Sequence, residues 1–212
     1  MRNRLINVAL FAIFVTLSLP GCAHKGPILI DFRYQAPQSA AETISKTTVA
    51  VSPFVDERGE NYSVAGKRVS TLNDVANDLV VQGVIRDKVT AALKSALTAR
   101  AITIQDAPVW DQTETGMPAS RANLLISGQI KTLWIDCESQ LASTTVKADV
   151  DLRIVIADPA QKKIIKTLNV DSKIEHQSIG YSTEFVEDTL AEALSSAIDQ
   201  LFTDNELKNR LK

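Results

Sequence analysis

The run Val146-Lys147-Ala148-Asp149-Val150-Asp151-Leu152-Arg153-Ile154-Val155-Ile156 decides how the rest of the chain reads. Val146, Ala148, Val150, Leu152, Ile154 and Ile156 fall on one side of an extended backbone. Lys147, Asp149, Asp151 and Arg153 fall on the other. A helix would scatter such a period-two pattern around its axis, whereas a strand collects each set on one face. The run therefore predicts a strand with one buried and one wet face, as in an antiparallel sheet.

Two neighbouring segments carry the same signal. Upstream, Leu124 to Asp136 places Leu124, Ile126, Ile130 and Trp134 on an apolar face. Downstream, Lys162 to Glu175 does so with Ile164, Leu168, Val170 and Ile174, after a turn at Asp158-Pro159. The three segments predict an antiparallel meander. Two registers join the first pair: Ile130 opposite Val150, with Lys131 facing Asp149, or Ile130 opposite Leu152, with Lys131 facing Asp151. A slip of one residue is excluded on this reading, because it would turn one apolar set to water.

Helices flank the meander. Ile85, Val89, Ala92, Leu93, Ala96 and Leu97 form one apolar stripe in a helix ending near Arg100, with Asn73 or Asp74 as candidate caps. Val186, Leu190, Leu194, Ala197, Ile198 and Leu201 form a second stripe, with Thr183 as the expected N-cap. Two further strands are expected, Thr47 to Val55 and Ala101 to Asp106, with loops at about 56–71 and 107–121. The fold class is α/β (α+β). The expected architecture is a two-layer sandwich, a mixed five-stranded sheet containing the three-strand antiparallel meander, with two helices on one face.

The start of the chain is an address. Arg2 and Arg4 precede an apolar run from Leu5 to Leu19, too short for a membrane span of about 20 residues, and Leu19-Pro20-Gly21-Cys22 follows. This resembles the lipobox of bacterial lipoproteins, which implies cleavage before Cys22 and acylation of that residue. The resulting division is a signal peptide at 1–21, a lipidated Cys and tether at 22–46, and a single domain at 47–212. Within the tether, Ile28-Leu29-Ile30 reads either as spacing or as an edge strand. Loss of a leader with two Arg and no acid makes the mature chain more acidic than the full sequence, whose formal charge is −2. No basic cluster stands out after the leader, so nucleic acid is not an expected partner.

Few residues invite chemistry. Asp56-Glu57-Arg58 follows a strand end and reads as a solvated turn or a local ion pair, with a catalytic carboxylate as the sharper alternative. Cys137 and His176 lie near strand ends, but no third group orients them as a thiol–imidazole pair. His24 sits in the tether, and two distant histidines make no metal site. Cys137 without a mate reads as a small buried hydrophobe. No catalytic residue, metal site or cofactor is expected. Leu133 and Ile135 fall on the otherwise polar face of their strand. They read either as a covered strand end or as a possible partner patch.

Several of these stretches resemble the YajG-type lipoproteins of Gram-negative bacteria. The likeness runs from about Thr47 to Leu207. It rests on the first strand with Asp56-Glu57-Arg58, Leu97-Thr98-Ala99-Arg100, Lys147-Ala148-Asp149-Val150 and Leu201-Phe202-Thr203-Asp204. The resemblance implies a lipoprotein with a two-layer α/β domain and supplies no catalytic site. It also implies a left-handed turn at Ala101, where the family often has glycine. Ala23, as a residue other than Asp after Cys22, implies sorting to the outer membrane, facing the periplasm. The expected function is a membrane-anchored, non-enzymatic accessory or binding module with an unknown envelope protein or glycan partner. An auxiliary lipoprotein subunit of an envelope transport system is the alternative, and a weak hydrolase or thiol enzyme using Asp56 or Cys137 a third.

Overall fold

The computed structural model describes residues 26–37, 47–59, 63–71 and 75–211. Cys22 and His24 lie outside them. Along the described chain run β1 (Ile28–Ile30), β2 (Thr48–Val51), β3 (Val55–Asp56), β4 (Val64–Ser70), β5 (Val75–Val81), α1 (Ile85–Thr98) and β6 (Thr103–Asp106). After these come β7 (Leu124–Ser139), β8 (Thr144–Asp158), β9 (Lys163–Ser178) and α2 (Thr183–Gln200). A 3-10 turn (Leu201–Thr203) and α3 (Asn205–Leu211) complete the chain.

The spine of the sheet is β7. One edge of it pairs antiparallel with β8, which pairs antiparallel with β9, so the expected meander is present. The other edge is shared in succession by β2, β3 and β4, all parallel to it. Beyond β2 lies β6, parallel to it. Beyond β4 lie β5 and then β1. The class is mixed α+β, but the sheet has nine strands among the described residues where five were expected. The difference has a local cause. Residues read as a loop and as the start of the first helix form the hairpin β4–β5, and Val75, Asn77, Leu79 and Val81 alternate inward in it. The helix begins only at Ile85, after Gly83 turns the chain at φ 94°. Ile28-Leu29-Ile30 docks as an edge strand. The chain beyond it stays against α2, through Asp31 N–H to Glu187, Tyr34 Oη–H to Asp199 and Gln35 N–H to Ser195 Oγ.

Register corrects the sequence reading at one residue. From Leu125 to Ile130 the pairing with β8 follows the second of the two expected registers, Ile130 opposite Leu152. Lys131 is then skipped as a β-bulge, and Thr132 pairs with Asp151. One extra residue turns every later side chain to the opposite face. Leu133, Ile135 and Cys137 consequently point into the core, at 1%, 0% and 2% exposure. Trp134, expected inside, pairs with Asp149 on the outer face. Leu133 and Ile135 are therefore no partner patch. A second bulge in β9, at Ile165, sends Ile164 to the outer face while Ile165, Leu168 and Ile174 pack on the main core.

Strand residues such as Val49, Ile126, Leu133 and Ile154 share one core with the stripes of α1 and α2. Gly128 interrupts that inward set because a Cβ there would sit 2.4 Å from the Phe54 ring. The N-cap of α2 is Ser182, one residue before the expected Thr183; its hydroxyl accepts from Phe185 N–H at 3.1 Å. α1 ends in a Schellman motif, with Ala101 N–H to Thr98 O and Ile102 N–H to Leu97 O, and Ala101 takes φ 56°. The left-handed turn thus forms on alanine.

A second, smaller core lies on the opposite face. The 107–123 loop folds over one end of the sheet and packs Trp110, Met117 and Ala122 against Ala50, Leu125, Val155 and Ala157. Its ends are pinned to β2 by Ala107 N–H to Val51 O and Asn123 N–H to Thr48 O.

Candidate functional site

The residues singled out for chemistry resolve into structural roles. Arg58 forms a two-pronged pair with Asp56, Nε to Oδ1 and Nη2 to Oδ2 both at 2.8 Å, and its other arm reaches Val64 O and Leu133 O. Both side chains are almost covered, at 10% and 7% exposure. The guanidinium therefore ties β3, β4 and β7 together, and the local ion-pair reading holds. Glu57 pairs with Lys131, the bulged residue. Cys137 and His176 occupy the same cross-strand row but have Val146 between them, two strand spacings or about 10 Å apart. His176 turns to Glu192 at 2.7 Å instead. Burial pushes the Cys137 thiol above its ordinary pKa, which keeps it protonated and unreactive. No group of three His, Cys, Asp or Glu side chains suited to a metal ion occurs among the described residues.

What the sequence reading missed is the surface built around Trp134. On the outer face this indole is half-buried, with Nε1–H donating to Asp136 Oδ1 at 2.9 Å. A groove of about 520 Å³ runs beside it, lined by Thr132, Lys147, Asp149, Lys173 and Glu175. Its charges are matched across the strands: Lys173 meets Asp149 at 2.9 Å and Lys147 meets Glu175 at 3.4 Å. Neighbouring hollows continue it toward Lys67 and Asp78 on one side and toward Asn169 and Asp171 on the other. The signal for this site was present in the sequence. Ile126 and Ile130 keep one phase, and Leu133, Ile135 and Cys137 keep the other, so a phase break must fall between them.

Chemically, such a surface offers apolar area beside ions of both signs. An aromatic plate supplies apolar area with one polar edge, and the surrounding ions supply donors and acceptors of both signs.

No protein-family model matches the chain, and no curated protein matches it. Among solved structures, a DUF330-family protein from Xanthomonas campestris is similar with a TM-score of 0.55 at 11% identity, over 82% of this chain and 92% of that one. A minor lipoprotein from Acinetobacter baumannii aligns with a TM-score of 0.42 at 12% identity, over 78% of this chain and 95% of that one. A neuraminyllactose-binding hemagglutinin homolog from Helicobacter pylori aligns with a TM-score of 0.44 at 11% identity, over 86% and 96%. At these identities likeness speaks to the fold alone, and only the first alignment is close enough to carry it. The chain shares its fold with the DUF330-family structure.

Proposed function

We propose that this chain is a lipid-anchored, non-enzymatic accessory module of the bacterial envelope that binds an envelope protein or glycan through the open sheet face around Trp134. The observation that carries the reading is the Trp134 groove, where a half-buried aromatic stands among paired ions on the outer face of the sheet. Anchoring is assigned to acyl groups on Cys22. Among the described residues no helix is long and apolar enough to cross a membrane. The resemblance to YajG-type lipoproteins supports the same reading. Two of the stretches that carry it meet in the fold, where Arg100 lies 3.7 Å over the Phe202 ring and pairs with Asp199. Outer-membrane sorting, facing the periplasm, follows from Ala23 within that resemblance.

The test uses the mature domain without its leader as bait in envelope extract, beside Trp134→Ala. A partner or glycan enriched by the first and lost with the second supports the reading. Equal recovery by both, or none by either, removes this face from it. Intact-mass analysis of the membrane fraction checks the anchor separately.

A further inference from the structure

Five strands finish in one row at one end of the sheet: Val75 pairs with Ser70, Ser70 with Ser139, Ser139 with Thr144, and Thr144 with Ser178. Two turns project beyond that row. The β7–β8 turn reads Gln140-Leu141-Ala142-Ser143, and the chain between β9 and α2 reads Ile179-Gly180-Tyr181-Ser182; neither contains a charged residue. Their tips are the most exposed large apolar side chains among the described residues, Ile179 at 94% and Leu141 at 83%. Singly exposed apolar residues are ordinary. Two at the same end, in uncharged turns, are a pattern.

The N-terminal segment arrives at the same end. β1 runs parallel to β5, Ile28 lies opposite Leu79, and Asn77 Nδ2 donates to Gly26 O at 2.7 Å. Gly26 thus sits beside Asn77, two residues or about 7 Å from the terminal row at Val75. Cys22 is four residues further upstream, a reach of at most about 14 Å whatever path is taken. Because Ile28 to Gln35 is held against the domain, only this short link separates an anchor at Cys22 from the fold. The opposite end carries more charge: Asp158, Lys162 and Lys163 lie at its β8–β9 turn and Glu206, Lys208 and Arg210 on α3, against Asp74 in the β4–β5 connection at this end.

We infer that the domain stands on the phospholipid surface on this end, strands upright, with Leu141 and Ile179 entering the headgroup–acyl boundary. The inference rests on the anchoring of Cys22 proposed above. Acyl chains there fix one edge of the sheet. Leu141, near the middle, and Ile179, toward the other edge, supply two further points of contact, each burying apolar area in the interface. A domain held at three points across the width of its sheet has a fixed orientation. The Trp134 face then stands perpendicular to the membrane, open to a neighbour in the same envelope layer.

The experiment uses the full acylated chain in vesicles of phosphatidylethanolamine and phosphatidylglycerol. An environment-sensitive fluorophore is placed on Leu141→Cys, Ile179→Cys or Val109→Cys. Val109, 73% exposed, is an apolar control from the loop over the far end; native Cys137 is buried and stays unlabelled. Thermal melting confirms that each variant folds, and co-sedimentation reports anchoring independently. The expected result is emission shifted to shorter wavelength, with quenching by lipid-borne nitroxide, at 141 and 179 but not at 109. Co-sedimentation with water-like emission at all three positions overturns the orientation and leaves the anchor standing. Failure to co-sediment overturns the anchor, and the orientation with it.

Discussion

Trp110 and Trp134 lie on the same face of the same sheet, and only one of them is covered. Trp110 is fully buried by its own loop. Its Nε1–H donates to Thr113 O at 2.8 Å and its backbone N–H to Ser52 Oγ at 3.0 Å. Trp134 has only strand neighbours, with Asp149 opposite it and Asp136 two residues along. Beneath Trp110 the face is made of Leu125, Val155 and Ala157. Around Trp134 it is made of Thr132, Lys147, Asp149 and Lys173. The face is thus divided into an apolar half that the chain itself covers and an ionic half left to solvent or to a partner. A tryptophan stabilises the first and is available for recognition in the second.

The division depends on the Lys131 bulge, so the largest expected effect comes from contradicting it. Leu133→Asp would be harmless on an exposed patch. On the core side it buries an unpaired carboxylate, and a loss of about 4 kcal/mol or more is expected, enough to abolish cooperative unfolding in denaturant. Retention of a native melt would mean that the strand does not change phase.

Next in size is the contrast between the tryptophans. Trp110→Ala is expected to cost about 3–5 kcal/mol in chemical denaturation, whereas Trp134→Ala costs about 1 kcal/mol or less. Iodide quenching reads the same contrast without denaturation. The fluorescence remaining in Trp134→Ala should resist the quencher, and that remaining in Trp110→Phe should not.

Acid sensitivity sharpens the comparison by element. Lys166 on β9 holds Asp204 through a 2.6 Å hydrogen bond, the first cause of a carboxyl pKa below its ordinary value; Leu207 N–H adds to it. Asp31 is lowered in the same way by Lys88. A carboxylate with a depressed folded-state pKa contributes stability that is complete above its unfolded value, about 3.9. That contribution disappears as pH falls through the folded value. Denaturation midpoints should therefore drop below about pH 4. Asp204→Asn should lower the neutral-pH midpoint slightly and flatten the acid limb. An unchanged acid limb would remove the pair from the account.

The smallest effect lies away from both halves. Ala101 occupies a left-handed conformation that glycine adopts without steric cost, so Ala101→Gly should raise stability by about 0.5–1 kcal/mol. Almost any other side chain there should lower it.

How much was legible follows from how far each signal reaches along the chain. The β8 alternation, the meander, the α2 stripe and the buried Cys137 are local patterns, and each appears where the sequence put it. The buried set of β5 was equally regular, but Asn73 and Asp74 were read as helix caps, which drew these residues into a helix and hid it. Leu133, Ile135 and Trp134 were misplaced because period two was extrapolated through a bulge that the sequence marks only as a phase break.

By itself, then, the sequence determined that an alternating meander and amphipathic helices would share a core, and that the chain carries a lipobox-like start at Cys22. Tertiary structure decided which face each residue of β7 presents after Lys131. It also decided that the 107–123 loop covers one half of the outer face, and that β1 brings the N-terminal segment to the end carrying Leu141 and Ile179. The physical reason is separation along the chain. Alternation records how a strand divides its own side chains between two faces. Bulges, covering loops and parallel neighbours are fixed by partners tens of residues away, whose contacts leave no period in the sequence.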